Sequence, residues 1–492
     1  MTPVVFLALL WGVMGAGLGA RWLALPRLLP DLDAVNFARS LRGFDLALQA
    51  PHFPGYPVYV FLARLASAAG ASEVSALVVP GLVLGVLCLG ALGRVLEPLL
   101  GRTGALAAAA LLGLLPLPVL LGATPGSDGA GLALLVLTAC AVLGAERSGR
   151  HALWAGVVGG LALGARPSFL PALVGLALGV PRGRAGAALG GLALGTGAGL
   201  LPMALLTGPE RLVRIGSGFL LGHAGGWGGT VVVRPDLGWR LEHFGFDVVA
   251  AGFGLPWPGD ALAPLLLARL LLALALTGAL GALVFAAARA SLSGPEQRLL
   301  RLALTMGLPY GVWMFLGQNL LKARHALPLV FAGCLLVGVG VAVLARRWPE
   351  RAGLLVGTLA LASGTVMMPV AWAQGREPSP AARLVVHVAS HLPASGLLLF
   401  TGEEARLFEH YVPHYRAGRP ATGEQLRREV ASVAAAGADV YVTSLAPGVE
   451  ALAPHLEPVA RFTCEPRVRS HAHDIVLFHY RRAALAVPGG HL

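Results

Sequence analysis

Nine stretches of this chain stay apolar over roughly 20 residues each, the length that crosses a hydrocarbon core of about 30 Å. They run over residues 4–24, 74–96, 103–122, 128–145, 185–206, 262–288, 299–318, 326–345 and 352–373. In hydrocarbon a backbone must satisfy its own polar groups, so each run is expected to be a helix. Two shorter runs between 152 and 181 are interrupted by Arg166-Pro167-Ser168. They read as a pair of short helices meeting at an irregular turn, a feature tolerated only where protein or water satisfies the backbone. That brings the expected total to about eleven membrane segments. Residues 57–70, with Arg64 in their middle, read as a further helix lying at the interface.

Composition agrees with a bilayer as the main solvent. Hydrophobic residues make up 56% of the chain and charged ones 13%, and the mean hydropathy is +0.72, too apolar for a water-soluble surface. The formal charge of +12 would suggest a nucleic-acid binder in a soluble protein. Here residues 1–375 carry 25 Lys/Arg against 14 Asp/Glu, spread between apolar runs, which is a topology pattern and excludes nucleic acid as a partner. Arg94 and Arg102, Arg147 and Arg150, Arg182 and Arg184, Arg289, Arg298 and Arg301, and Arg346, Arg347 and Arg351 fall on alternate turns of the path and so share a side. The positive-inside rule makes that side cytoplasmic. Residues 25–56, residues 207–261 and the C-terminal part then face outward. The first apolar run lacks a basic leader and an A-x-A site, so it reads as a membrane helix and not as a cleaved signal. Cys88, Cys140 and Cys334 lie inside apolar runs and Cys464 stands apart, so neither a disulfide framework nor a cysteine metal site is indicated.

After Trp372 the sequence turns to Ala-Gln-Gly-Arg-Glu-Pro-Ser-Pro, a linker, and residues 376–492 carry 12 Arg against 11 Asp/Glu. Strand patterns at 396–401, 439–443 and 474–480 alternate with amphipathic helix patterns near 381–392, 403–411 and 423–436, which reads as a small extracytoplasmic α/β domain. The expected organisation is therefore a membrane domain over 1–375 and a soluble domain over 376–492. No Gly-rich phosphate loop is present in it.

The residues that break the apolar pattern carry the chemical information. Asp31 and Asp33 follow the first membrane helix and precede a helical pattern, so Asp33 can cap that helix through backbone N–H groups. A carboxylate at such a place can also take a proton from an attacking hydroxyl. Pro51-His-Phe-Pro-Gly-Tyr-Pro57 forms a stiff turn into the next helix and can present His52 as a hydrogen-bond donor or proton carrier. Lys322, the one lysine among 37 basic residues, lies with Arg324 and His325 between two apolar runs on the predicted outer side. Basic groups are disfavoured there, and a Lys point charge beside an Arg fork suits a phosphate. Arg166, at apparent membrane depth, is expected to face a cavity, a phosphate or Asp128; for Asp128 itself the local reading is a helix N-cap. In the second outward loop the glycine-flanked His223 and Trp227 suit a sugar, whose apolar face packs on aromatic rings, and for Trp227 a membrane-interface anchor is an equal reading.

Taken in order, Asp33-Ala-Val-Asn36-Phe37, His52-Phe-Pro54-Gly55-Tyr56-Pro57, Gly164-Ala-Arg166-Pro167-Ser168 and Lys322-Ala-Arg324-His325-Ala-Leu-Pro328 resemble the membrane-embedded GT-C glycosyltransferases. The pattern is most similar to the bacterial branch related to protein O-mannosyltransferases and lipid A aminoarabinose transferases. The resemblance implies an α-helical polytopic membrane body with a C-terminal extracytoplasmic α/β domain, seated in the bacterial cytoplasmic membrane. It also implies sugar transfer, with inversion, from a polyprenyl-phosphate donor to a hydroxyl of a lipid, glycan or protein at the outer face.

The implied base is the first-loop acid. Many relatives have an adjacent acidic pair where this chain has Asp31-Leu-Asp33, and a related branch has Glu where this chain has Asn36, which leaves both Asp31 and Asp33 as candidates. Lys322, Arg324, His325 and Arg166 are the expected phosphate contacts, His52 assists at the acceptor, and His223, Trp227 and Tyr56 contact sugar or acceptor. The scheme needs no cofactor, and no ligand cluster calls for a metal. The rival expectation is a transporter or flippase of a lipid-linked sugar, which would use the same cations but no positioned carboxylate.

Overall fold

The structure, a computed structural model, describes residues 1–258, 265–395, 397–464 and 474–481. Residues 259–264, where the second outward loop meets the run at 262–288, lie outside the described residues, as does position 396 at the start of an expected strand. The chain divides into two compact units, one of Met1–Arg27 with Asn36–Glu377 and one of Leu28–Val35 with Pro378–Leu492. The division falls after Glu377, and Leu28–Val35 of the segment between α1 and α3 belongs to the second unit.

The first unit is helical. Its elements are α1 (Pro3–Leu23), α2 (Leu32–Arg42, which begins in the second unit's segment), α3 (Pro57–Ala68), α4 (Glu73–Leu114), α5 (Pro116–Gly122), α6 (Ser127–Gly144), α7 (Gly149–Ala165) and α8 (Leu170–Ala177). There follow α9 (Ala185–Thr207), α10 (Pro209–Gly225), α11 (Leu237–Gly245), α12 (Leu266–Ala288), α13 (Gly294–Gly317), α14 (Leu327–Arg347) and α15 (Pro349–Arg376). Among the described residues eight helical stretches are long and apolar enough to cross a membrane. One of them, α4, is broken at Gly101, whose φ of +68° no helix accommodates. Divided there, α4 covers two of the expected runs, while the two short runs on either side of Arg166 are the shorter helices α7 and α8. α3 packs against α4, α7 and α9.

Lipid tails are as apolar as leucine, so close backbone approach, not hydrophobicity, must hold such helices together. α7 and α9 show how. A Cβ on Gly156 would lie 1.9 Å from the Ala188 carbonyl oxygen, and one on Gly195 would lie 2.1 Å from that of Val157. Both pairs recur four residues along, at Gly160 and Gly191, so the two helices meet backbone to backbone.

The second unit holds α16 (Pro380–His391), β1 (Leu397–Phe400), α17 (Ala405–Tyr411), β2 (Arg416–Gly418), α18 (Gly423–Ala435), β3 (Asp439–Thr443), β4 (Leu456–Thr463) and β5 (Asp474–Tyr480). The sheet order is β2-β1-β3-β5-β4, with β2, β1 and β3 parallel and β5 antiparallel to both of its neighbours. Leu426 and Val430 of α18 pack on Phe400, Val440 and Val442 to form one core. The expected strands and helices all appear, while β2 and β4 were not foreseen.

Glu404 ties this unit together, being buried and accepting a hydrogen bond from the Thr443 hydroxyl at the end of β3. Burial pushes its carboxyl above the ordinary value of 4.5, against the opposing pull of the Thr443 hydrogen bond. The folded form therefore binds the proton more tightly than the unfolded chain. Its contribution to stability is complete below 4.5 and is lost as pH rises through the raised value. Glu404→Gln is expected to flatten this dependence, making 397–443 more resistant to unfolding at neutral pH than in the parent. Hydrogen exchange of the full-length protein across a pH series measures it, and parallel curves for the two proteins would show that Glu404 does not titrate in this window.

Candidate active site

Asp31 and Asp33 differ in their local roles. The Ala34 N–H donates to the Asp31 carboxylate at 2.8 Å, so Asp31 caps α2. The expectation that Asp33 would do so is corrected, because Asp33 already lies inside the first helical turn.

The turn before α3 is built as its composition suggests. Asp45 and Ala50 exchange backbone hydrogen bonds of 2.7 and 2.8 Å, and the peptide bonds preceding Pro51 and Pro54 are cis. Gly55 has φ +86°, and a Cβ there would approach the Met203 sulfur to 2.6 Å, so only glycine fits. The turn sets the His52 ring against Phe37 and Tyr56, at centroid distances of 5.3 and 5.1 Å. Phe37 also meets Tyr59 at 4.9 Å, and the Tyr59 hydroxyl is anchored on the Leu77 carbonyl at 2.7 Å.

From Tyr56 the path leads to Arg166, whose guanidinium carbon lies 6.0 Å from the Tyr56 ring centroid and 6.0 Å from that of Phe169. Arg166 stands at the break after α7, buried, paired with Asp128 at 2.7 Å and donating to the Ser127 hydroxyl at 3.1 Å. The N-cap of α6 is Gly126, so Asp128 is not the cap expected of it but the counter-ion of Arg166. Tyr310, 6.0 Å from Phe169 between ring centroids, donates to the His325 carbonyl at 2.9 Å. His325 is buried in the short turn over Ala323–Ala326, with Arg324 directly before it and Lys322 at the start of the turn. Contacts thus connect Tyr56, the Arg166–Phe169 break, Tyr310 and the 322–325 segment, which bring together the buried Arg166 and the Lys322–Arg324 cations.

His223 and Trp227 reach the same neighbourhood through α10. The His223 Nε2 is 2.9 Å from the Gly317 carbonyl at the end of α13. Phe219 stacks on His223 and meets Trp227 at 4.7 Å, and its other neighbour is Phe53 of the His52 turn, at 5.0 Å. Trp227 itself is 58% exposed. An exposed indole beside an imidazole is a surface on which a sugar can pack.

Two residues with a part in this place carry no sequence signal. Arg240, fully buried in α11, donates to the carbonyls of Phe315 at 2.7 Å, Gly229 at 2.9 Å and Gln318 at 3.0 Å. It thereby closes the end of α13 just ahead of Lys322. Asp247 lies in a π-helical turn over Phe246–Gly252 that packs on the turn over Ala323–Ala326. Its Oδ2 has no hydrogen-bond partner among the described residues, and burial pushes its carboxyl well above the ordinary range. Among the described residues no three His, Cys, Asp or Glu side chains come together as metal ligands.

Residues 51–180, which include the His52 turn and Arg166, match the family described as dolichyl-phosphate-mannose-protein mannosyltransferase. No curated protein matches the sequence. Among solved structures, ArnT from Cupriavidus metallidurans in the apo state is 14% identical, with a TM-score of 0.51 over 97% of each chain. The Archaeoglobus fulgidus oligosaccharyltransferase, tethered with an acceptor peptide containing the NVT sequon, is 13% identical, with a TM-score of 0.52 over 94% of this chain and 73% of that one. The archaeal enzyme in complex with an inhibitory peptide and a dolichol-phosphate gives 14% identity and a TM-score of 0.50, over 89% of this chain and 69% of that one. At these identities the likeness is one of fold.

Proposed function

We propose that this chain, a multi-pass membrane protein with the GT-C fold, is a glycosyltransferase that moves a sugar from a polyprenyl-phosphate donor to a hydroxyl acceptor. The observation that carries this reading is the run of contacts from Arg166 through Phe169 and Tyr310 to the His325 carbonyl, which links the buried Arg166 to the segment bearing Lys322 and Arg324. As the bond from sugar to phosphate breaks, negative charge grows on the leaving phosphate. Cations fixed in a low-dielectric setting stabilise that charge more than they stabilise the ground state. Asp33 is the base that takes the acceptor proton while Asp31 caps its helix, His52 assists at the acceptor, and His223, Trp227 and Tyr56 border the sugar.

The archaeal enzyme has been seen with a dolichol-phosphate and an inhibitory peptide, and tethered with an acceptor peptide, which supports a lipid-phosphate donor here and keeps a protein among the candidate acceptors beside lipid and glycan. The alternate arrangement of basic loops supports an extracytoplasmic site in a bacterial cytoplasmic membrane. The scheme as drawn uses no cofactor.

Removal of one phosphate cation tests the donor site. Lys322→Ala or Arg324→Ala is expected to weaken polyprenyl-phosphate binding by about 10- to 100-fold, the range for a charge-assisted hydrogen bond. Undiminished affinity in both variants, measured with the purified protein in detergent, would remove the cluster from the donor site.

A further inference from the structure

We propose that Tyr411 is a positioning residue for the acid-bearing loop, so that the soluble domain holds part of the active site in place. This rests on the transferase reading above. The segment Leu28–Val35 belongs to the same compact unit as Pro378–Leu492, and it carries both Asp31 and Asp33. Within that unit the backbone N–H of the fully buried Leu29 donates to the Tyr411 hydroxyl at 2.7 Å. The sequence around it is Pro26-Arg-Leu-Leu-Pro30, so the prolines on both sides of Leu29 have no N–H to offer. Leu29 is one of the few places where this stretch can be held by a backbone donor.

The support behind Tyr411 is continuous. Tyr411 is the last residue of α17, whose Leu407 and Phe408 are fully buried and whose Val412 N–H closes the helix on the Phe408 carbonyl at 2.9 Å. The other end of α17 begins at Glu404, fastened to Thr443 at the end of β3. The sheet thus fixes α17, α17 fixes Tyr411, Tyr411 fixes Leu29, and two residues on Asp31 caps the helix whose first turn bears Asp33. A catalytic carboxylate must be held close to its productive geometry, since a displacement of about 1 Å can cost around 100-fold in rate. A backbone segment with few donors of its own gains that fixity from the phenol.

Tyr411→Phe deletes the acceptor and preserves the ring. The full-length variant is expected to lose about 10- to 100-fold in kcat, with KM for the polyprenyl-phosphate sugar and affinity for polyprenyl phosphate unchanged. Amide exchange in 28–35 should accelerate while exchange in α13 and α14 stays as in the parent. Unchanged exchange in 28–35 would overturn the proposal, and so would an equal fall in kcat and donor affinity, which marks general destabilisation. The exchange measurement needs no turnover. If the parent protein transfers no sugar, the transferase reading fails, and the exchange result alone still decides whether Tyr411 holds this segment.

Discussion

Asp33→Asn is expected to lower the rate of sugar transfer by about 100- to 10,000-fold, the usual contribution of a positioned general base, while polyprenyl-phosphate binding stays at the level of the parent. The substitution keeps the size of the side chain and its place in the first turn of α2, and removes the carboxylate that would accept the proton. Asp31→Asn serves as its counterpart. Asparagine is as good a helix cap as aspartate, so this variant should lose little activity if capping is the work of Asp31. Steady-state kinetics of both variants, with donor affinity measured separately, checks the assignment. Full transfer by Asp33→Asn would contradict it and favour a protein that only carries the lipid-linked sugar.

The second large effect concerns the Arg166–Asp128 pair. Both side chains are buried and 2.7 Å apart, so removing either alone leaves an uncompensated charge away from water. Arg166→Met and Asp128→Asn are each expected to cost about 3–5 kcal/mol of stability, because breaking a buried pair is far costlier than replacing both members. The double variant, with neither charge, should recover much of the loss. Thermal unfolding of the four proteins in one detergent measures the coupling, and losses that simply add would mean that the two charges do not compensate each other. Donor binding gives a second readout with opposite signs. Asp128→Asn leaves the Arg166 charge to a bound phosphate and should tighten polyprenyl-phosphate binding, whereas Arg166→Met should weaken it.

These two sites also show what can be read from a sequence of this kind. The membrane helices are legible because twenty apolar residues have few other destinations, and even the break at Gly101 shows as a gap between two runs. The strands β1, β3 and β5 are legible as short apolar runs between helical patterns, being the inner part of the sheet. β2 is only three residues long, and β4 is an edge strand whose Pro458 sits at a register shift, so neither shows a clean period of two. Within the site, Arg166 and Lys322 stand out because a charge among apolar residues asks for a partner.

What escapes is pairing over long sequence distances. Thr-Pro-Gly-Ser-Asp-Gly looks like a helix cap, yet α6 starts two residues too early for Asp128 to cap it, and the pairing with Arg166, one of the partners expected for that arginine, decides its role. Arg240 is invisible for the same reason, since its acceptors are backbone carbonyls, most of them some 75 residues away, and carbonyls have no sequence signature. The bond from Leu29 to Tyr411 spans 382 positions within the second unit, a connection that no local pattern encodes.

The central claim is a transfer reaction, and one assay meets it directly. The purified full-length protein is incubated with a panel of polyprenyl-phosphate sugars and candidate lipid, glycan and peptide acceptors, and both free polyprenyl phosphate and glycosylated product are measured. The account predicts release of polyprenyl phosphate matched mole for mole by new glycoside with at least one donor, abolished by Asp33→Asn. Tight binding of polyprenyl-phosphate sugars with no release across the panel would contradict it.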